Sequence, residues 1–247
     1  MNIKYFLKDL IPNSLKLPSM YYYHKLKGSL DEELLYLKYL VDRGELAIDV
    51  GANYGEYTYA LSKLCKQVIA FEPQQHCTEF IKEYKNRNIK VYNVGLSSSV
   101  GSMNLHIPII NGKPISGLAS FSKPEENCET IQVPVYKLDD FEFQKVSFIK
   151  IDVEGHESAV IDGGRETILR EKPIMLIEIE QRHLKEISMT DVFNQIIGLG
   201  YQGFFRYENK FFPLSEFSYE THQKPFLADF MCKDYINNFI FKPRINI

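Results

Sequence analysis

No stretch of the 247 residues approaches the ~20 consecutive apolar residues of a membrane-spanning helix. The first ten residues break their apolar pattern with Lys4, Lys8 and Asp9, so they lack the unbroken core of a secretion signal, and a cytoplasmic location is expected. Cysteine is sparse: Cys65, Cys77, Cys128 and Cys232 form neither a Cys-x-x-Cys pair nor a zinc-ligand spacing, which reads as reduced, structural thiols. There is no excess of positive charge either. With 29 basic and 32 acidic residues the net charge is −3, so no global field draws the chain to nucleic acid; a small or neutral substrate fits better. Internal repeats and low-complexity tracts are absent. A 45% hydrophobic and 25% charged composition excludes a disordered or fibrous chain. The length suits one large α/β domain with decorations.

What is present is an alternation of strand and helix signals. Asp31 to Val41 reads as a helix, because Leu34, Leu35, Leu37, Leu40 and Val41 approximate a helical stripe and Gly44 follows as a stop. Leu46 to Val50 and Val68 to Phe71 are short apolar runs closed by Gly51 and by Glu72-Pro73. The helical Tyr57 to Leu64 between them completes a β-α-β unit with parallel strands. Thr78 to Lys85 is helical in pattern, Val91 to Val94 extended, and Val146 to Ile151 and Ile174 to Ile177 read as buried strands. The expected architecture is an α/β fold on an open, mostly parallel sheet. Residues 1–45 form a helical extension, and its aromatic, basic start (Tyr5, Phe6, Lys8, then Tyr21 to Tyr23 and Lys25) also suits peripheral contact with a membrane surface. Residues 46–247 form the main domain. Within it, residues 101–135 carry two extended stretches, Met103 to Ile107 and Thr130 to Val135, and read as an insertion near the site. The aromatic Tyr201 to Phe212 and Phe226 to Cys232 read as a closing β-hairpin.

In an open parallel sheet, ligands bind beyond the carboxyl ends of the strands where the order reverses. Asp49-Val50-Gly51-Ala52-Asn53-Tyr54-Gly55 leaves the first strand as a tight loop whose glycines let the backbone approach a ligand, with Thr58 one turn on. Glu72 ends the next strand 21 residues after Gly51, a spacing that suits a carboxylate accepting both hydroxyls of a ribose. A dinucleotide fingerprint would place glycine where Asn53 and Glu56 stand, so a nicotinamide oxidoreductase is the second reading. Asp49 would repel a pyrophosphate but favours a cationic ligand such as S-adenosylmethionine, which carries a sulfonium and an ammonium.

The runs Ile48 to Gly55, Phe71-Glu72-Pro73 and Lys150-Ile151-Asp152-Val153-Glu154-Gly155-His156-Glu157 resemble the FkbM family of class I methyltransferases, over roughly Leu46 to Glu180. The resemblance implies a Rossmann-like, seven-stranded sheet with an antiparallel last strand and helices on both faces. It also implies bound S-adenosylmethionine and O-methylation, often of sugars or other natural-product hydroxyls. The N-terminal ~45 residues and the aromatic C-terminal part lie outside it, where acceptor choice is usually shaped. The segment Asp152 to Gly155 stands where nucleic-acid and protein amine methyltransferases often carry an Asp/Asn-Pro-Pro-Tyr type loop. A scaffold that binds cofactor without catalysis is the non-enzymatic alternative.

Asp152 closes the strand from Val146 and Glu178 the strand from Ile174, with Glu180 two residues on. Methyl transfer to a hydroxyl needs an aligned acceptor and a route for its proton. His156, just after Asp152 and Glu154, is the first candidate base, and His183 the second. Asp152 with Glu178 or Glu180 is also a candidate oxygen-ligand set for magnesium. Leu138-Asp139-Asp140 reads as a helix start rather than a catalytic pair. Oligomeric state is left open.

Overall fold

A computed structural model describes residues 11–41, 44–124, 127–229, 232 and 234–244, so the expectations attached to Met1 to Leu10 lie outside the described residues. Helices α1 (Asn13–Lys27) and α2 (Glu32–Leu40) precede the β-α-β unit of β1 (Leu46–Val50), α3 (Glu56–Leu61) and β2 (Gln67–Phe71); α4 (Gln75–Glu83) and β3 (Ile89–Tyr92) follow. All five residues of β1 are buried, because both faces of a parallel sheet are covered; its sequence is therefore a run and not an alternation. The insertion joins β4 (Gly95–Leu96), which precedes it, in a second, four-stranded sheet with β5 (Gly101–Ile110), β6 (Lys113–Pro114) and β7 (Cys128–Tyr136). Its centre is the antiparallel β5–β7 ladder, Gly101 opposite Val135 through Pro108 opposite Cys128.

The chain then runs through β8 (Val146–Ile151), α5 (Glu157–Gly163), α6 (Arg165–Glu171), β9 (Ile174–Glu178), α7 (Met189–Gly198), β10 (Tyr201–Tyr207), β11 (Lys210–Pro213), α8 (Tyr219–His222) and β12 (Asn238–Pro243). The main sheet has the order β11-β10-β12-β9-β8-β1-β2-β3. Seven of these strands match the expected count, and the last in the chain, β12, is antiparallel to both neighbours. The eighth is β11, and it arises because Tyr201 to Phe212 folds back on itself. Glu208 and Asn209 take φ of 47° and 62°, the left-handed pair of a two-residue hairpin turn. The closing hairpin expected from Tyr201 to Phe212 together with Phe226 to Cys232 is therefore corrected: the first stretch makes the hairpin with its own continuation, Lys224–Phe226 is a 3₁₀ turn, and β12 enters between β9 and β10. Aromatic content alone carried no register.

Strand alternation divides the core by face. Ile48, Val50, Ile69, Phe71, Ile149, Ile151 and Ile177 face α5, α6 and α7. Ala47, Val68, Ala70, Phe148 and Leu176 face α1 to α4. Helix α7, not anticipated, begins with a reciprocal cap in which Ser188 and Asp191 bond each other's backbone amides, and it buries Val192, Phe193 and Ile196. Leu138–Phe141 is a 3₁₀ turn; Asp139 caps a different helix, accepting from the amides of Glu166 and Thr167 at the start of α6 (3.0 and 2.8 Å). From β1 the chain steps outward to β2 and β3, and from β8 it steps the other way. The crevice of reversed order therefore lies beyond the ends of β1 and β8, at Gly51 and Asp152.

Candidate functional site

The loop after β1 is fixed by its backbone. The amides of Gly51 and Ala52 both donate to the Phe71 carbonyl, and Gly51, Asn53 and Gly55 take φ of 80°, 46° and 87°. A Cβ on Gly51 would stand 1.7 Å from the Asp152 carbonyl oxygen, so glycine is required for β1 and β8 to end side by side. Glu72 is 3% exposed and accepts one amide on each oxygen, from Asn53 and from Gln74, both at 2.8 Å. Each oxygen keeps a lone pair for a ligand hydroxyl. Burial pushes the Glu72 carboxyl up to about 7.

Two hollows flank this loop and share Gly51, Asn53 and Asp152. One is narrow, walled by Phe71, Glu72, Val94, Leu96, Phe121 and Glu154 and roofed by the insertion at Ser116–Leu118. The other, about 220 Å³, lies between Asp49, Tyr57, Lys150 and Asp152 below and Met20 and His24 of α1 and Asp31 above. The N-terminal extension thus forms a wall of the site. Asp49 is buried and accepts from the Thr58 hydroxyl, and burial raises it to about 6. Thr58 is itself wholly buried, so it holds Asp49 rather than reaching the hollow.

Lys150 had no role in the sequence reading, although a lysine inside the run Val146 to Ile151 was the available signal. Its side chain is buried, donates to Asn238 Oδ1 at 3.1 Å, and stands 3.9 Å from both Asp152 Oδ2 and Glu178 Oε2. Burial works against its charge, but those two carboxylates hold it above the ordinary lysine range. Burial raises Asp152 to about 7, with Lys150 opposing, and lifts Glu178 well above the carboxylate range. The buried Lys150 ammonium therefore faces two partly buried acids and stands 5.0 Å from the Tyr57 ring centroid, and the buried Tyr57 hydroxyl has no hydrogen-bond partner among the described residues. A cationic ligand with polar groups fits such a site, as S-adenosylmethionine has.

A divalent ion fits the Asp152–Glu178 pair poorly, because the Lys150 ammonium already sits against both carboxylates and would repel it. Glu180 is committed elsewhere. It takes Arg182 and the Tyr235 hydroxyl, and although burial opposes this, these donors bring it down to about 2. Glu154, Glu180 and His183 do approach within 4.8 Å of one another, with the Arg182 guanidinium on Glu180.

At the reaction end, the turn Asp152 to Gly155 puts Glu154 at φ 53° and Gly155 at φ 95°; a Cβ on Gly155 would meet the His183 carbonyl at 2.5 Å. This packing brings His183 Nε2 to 2.9 Å from Glu154 Oε2, within ion-pair reach though off the line of a ring N–H bond. Burial lowers the His183 pKa, but the Glu154 carboxylate outweighs it and the net shift is upward. Glu154 lines the narrow hollow. His156 does not: it stands at the start of α5, lies 2.9 Å from the Ser97 hydroxyl and packs edge-on against Phe121, and burial lowers it to about 4.

No curated protein matches the chain. Among solved structures, a methyltransferase FkbM from Methylobacillus flagellatus KT superposes with a TM-score of 0.51 at 19% identity, covering 80% of this chain and 43% of its own. This chain thus spans less than half of that relative's length, and the likeness concerns the fold. An rRNA methylase from Streptococcus thermophilus and a precorrin-6y C5,15-methyltransferase from Geobacter metallireducens GS-15 superpose at 0.44 and 0.46, with 12% and 11% identity. Each covers 86% of this chain, and 95% and 87% of its own. The sequence profile of the methyltransferase FkbM domain matches residues 49–207, more than half the chain, from the end of β1 to the end of β10. With the loop, Glu72 and the Asp152 turn all inside that match, the chain belongs to the FkbM methyltransferase family.

Proposed function

We propose that the chain is an S-adenosylmethionine-dependent O-methyltransferase acting on a hydroxyl of a small polar acceptor, a sugar or a glycan or natural-product precursor. The observation that carries this reading is the set of carboxylates along two neighbouring hollows, Asp49 and Glu72 buried and Asp152 partly exposed, with Lys150 as the buried ammonium among them. Glu72 would take the ribose hydroxyls, and Asp49 and Asp152 would face the cationic end, with Gly51 and Gly55 permitting close backbone approach. When bound, the cofactor supplies an electrophilic methyl group. The same acids disfavour the pyrophosphate of a nicotinamide cofactor.

The Glu154–His183 pair is the best placed group to receive the acceptor proton, because Glu154 faces the hollow and His183 backs it at 2.9 Å. His156 supports the turn and helix start instead. No step is assigned to a metal, and a chelator should leave turnover unchanged. The deciding experiment incubates the purified protein with isotope-labelled S-adenosylmethionine and separate pools of nucleotide sugars, glycans and RNA, read by mass spectrometry. Label on a hydroxyl of a sugar is expected. Label confined to nitrogen or to RNA would overturn the acceptor class, and tight binding of a nicotinamide cofactor in its place would overturn the reading.

A further inference from the structure

We propose that the outer face of α1 is a docking surface for an anionic membrane. The inner face of this helix is spent on the fold: Leu17 and Tyr21 are buried, and Met20 and His24 wall the larger hollow. The opposite face is apolar as well. At 100° per residue, Leu15, Tyr22 and Leu26 fall within about 40° of arc, and they are 51%, 53% and 88% exposed. An exposed stripe of this kind on a surface helix marks an interaction site.

Charge decides what it docks to. The net charge of the whole chain is −3, yet α1 contains no acidic residue, and the exposed Lys25 and Lys27 flank the stripe on opposite sides. Leucine and tyrosine at the centre with lysines at the margins is the arrangement of a helix lying in the lipid interface: the apolar side chains enter the acyl boundary and the lysine stems reach up to anionic headgroups. Helix α2 also exposes Leu35 and Tyr39 one turn apart, with the Lys38 ammonium 4.8 Å from the Tyr39 ring centroid, although its first turn carries Glu32, paired with Arg206, and Glu33. The surface is independent of the chemistry assigned to the cleft.

The sequence has no tryptophan, so Leu26→Trp creates a single reporter at the most exposed point of the stripe. Mixed with vesicles of phosphatidylcholine and phosphatidylglycerol, this variant should show a blue-shifted emission, and the unmodified full chain should sediment with the vesicles. Salt should weaken that binding, and Leu26→Glu should weaken it about tenfold or more with the thermal melting temperature unchanged. Unshifted emission, no sedimentation of the unmodified chain, or equal binding by Leu26→Glu would each overturn the proposal. So would a solution dimer that Leu26→Glu dissociates, which would assign the stripe to a second copy.

Discussion

At the scale of single residues, Glu72 is tied into the fold while lining a hollow. Its two oxygens fasten the loop after β1 to the segment after β2 through the amides of Asn53 and Gln74. Glu72→Gln keeps the shape but loses the charge and one acceptor, so cofactor affinity by calorimetry should drop by ~1.5 to 3 kcal/mol, about 10- to 100-fold. An unchanged dissociation constant in a folded variant would remove Glu72 from the ribose site. The two histidines separate by their partners, a carboxylate for His183 and a hydroxyl and an aromatic ring for His156. His183→Gln should lower turnover about 100- to 10,000-fold with cofactor affinity near normal, the usual range for a lost proton acceptor. His156→Ala should act mainly on stability, because its ring packs against Phe121 and Ser97; a turnover loss as large as that of His183→Gln would reverse the assignment. Glu72 was legible in the sequence because it ends an apolar run at a telling distance from the glycines. The relative merits of His156 and His183 were not, since they depend on which ring meets a carboxylate across 29 residues of chain.

At the scale of elements, the parallel strands and their order of appearance were legible because a strand buried on both faces leaves an uninterrupted apolar run. Ends and partners were less so. Asp139 reads locally as a helix cap, and it is one, but for α6, some 27 residues further along the chain. Asp139→Ala leaves two amides at the start of α6 without their acceptor and should destabilise the protein by about 1 to 2 kcal/mol, measured by urea denaturation, with cofactor affinity unaffected. A variant of unchanged stability would mean that water satisfies those amides. The C-terminal strands were misplaced for a related reason: Glu208-Asn209 carries no glycine, so the turn that folds β10 onto β11 left a weak sequence signal.

For the whole molecule, burial of acids sets the response to pH. Asp49 titrates near 6, and Glu72, Asp152 and Glu157 near 7, each because burial disfavours the charged form. The native protein therefore holds protons that the unfolded chain releases at about pH 4. The stability these groups allow is full below that pH and is lost as pH rises through 6 to 7. His156, lowered to about 4, acts in the opposite sense, since stability falls as pH drops below the ordinary histidine value. One group opposes four, so the melting temperature of the ligand-free protein should be lower at about pH 8 than at about pH 6. If the proposed cofactor site is right, S-adenosylhomocysteine would set its ammonium against the newly ionised acids and should recover more of it at the higher pH. Equal melting temperatures across that interval would argue that the acids are already paired in the ligand-free protein.

By itself the sequence determined the parallel β-α-β frame, the glycine loop and the carboxylates at the strand ends, because these are properties of short contiguous runs: apolar stretches, glycine where φ must be positive, an acid at a fixed offset. Only the tertiary structure decided what those groups meet. It set Lys150 between Asp152 and Glu178, and thereby put a fixed cation where a magnesium ion had been a candidate. It brought His183 to Glu154 and withdrew His156 into the packing of Phe121. It also laid α1, outside the stretch of family resemblance, over the loop as a wall of the larger hollow. Those outcomes depend on distance and burial between segments far apart in the chain, and both quantities exist only once the sheet has assembled.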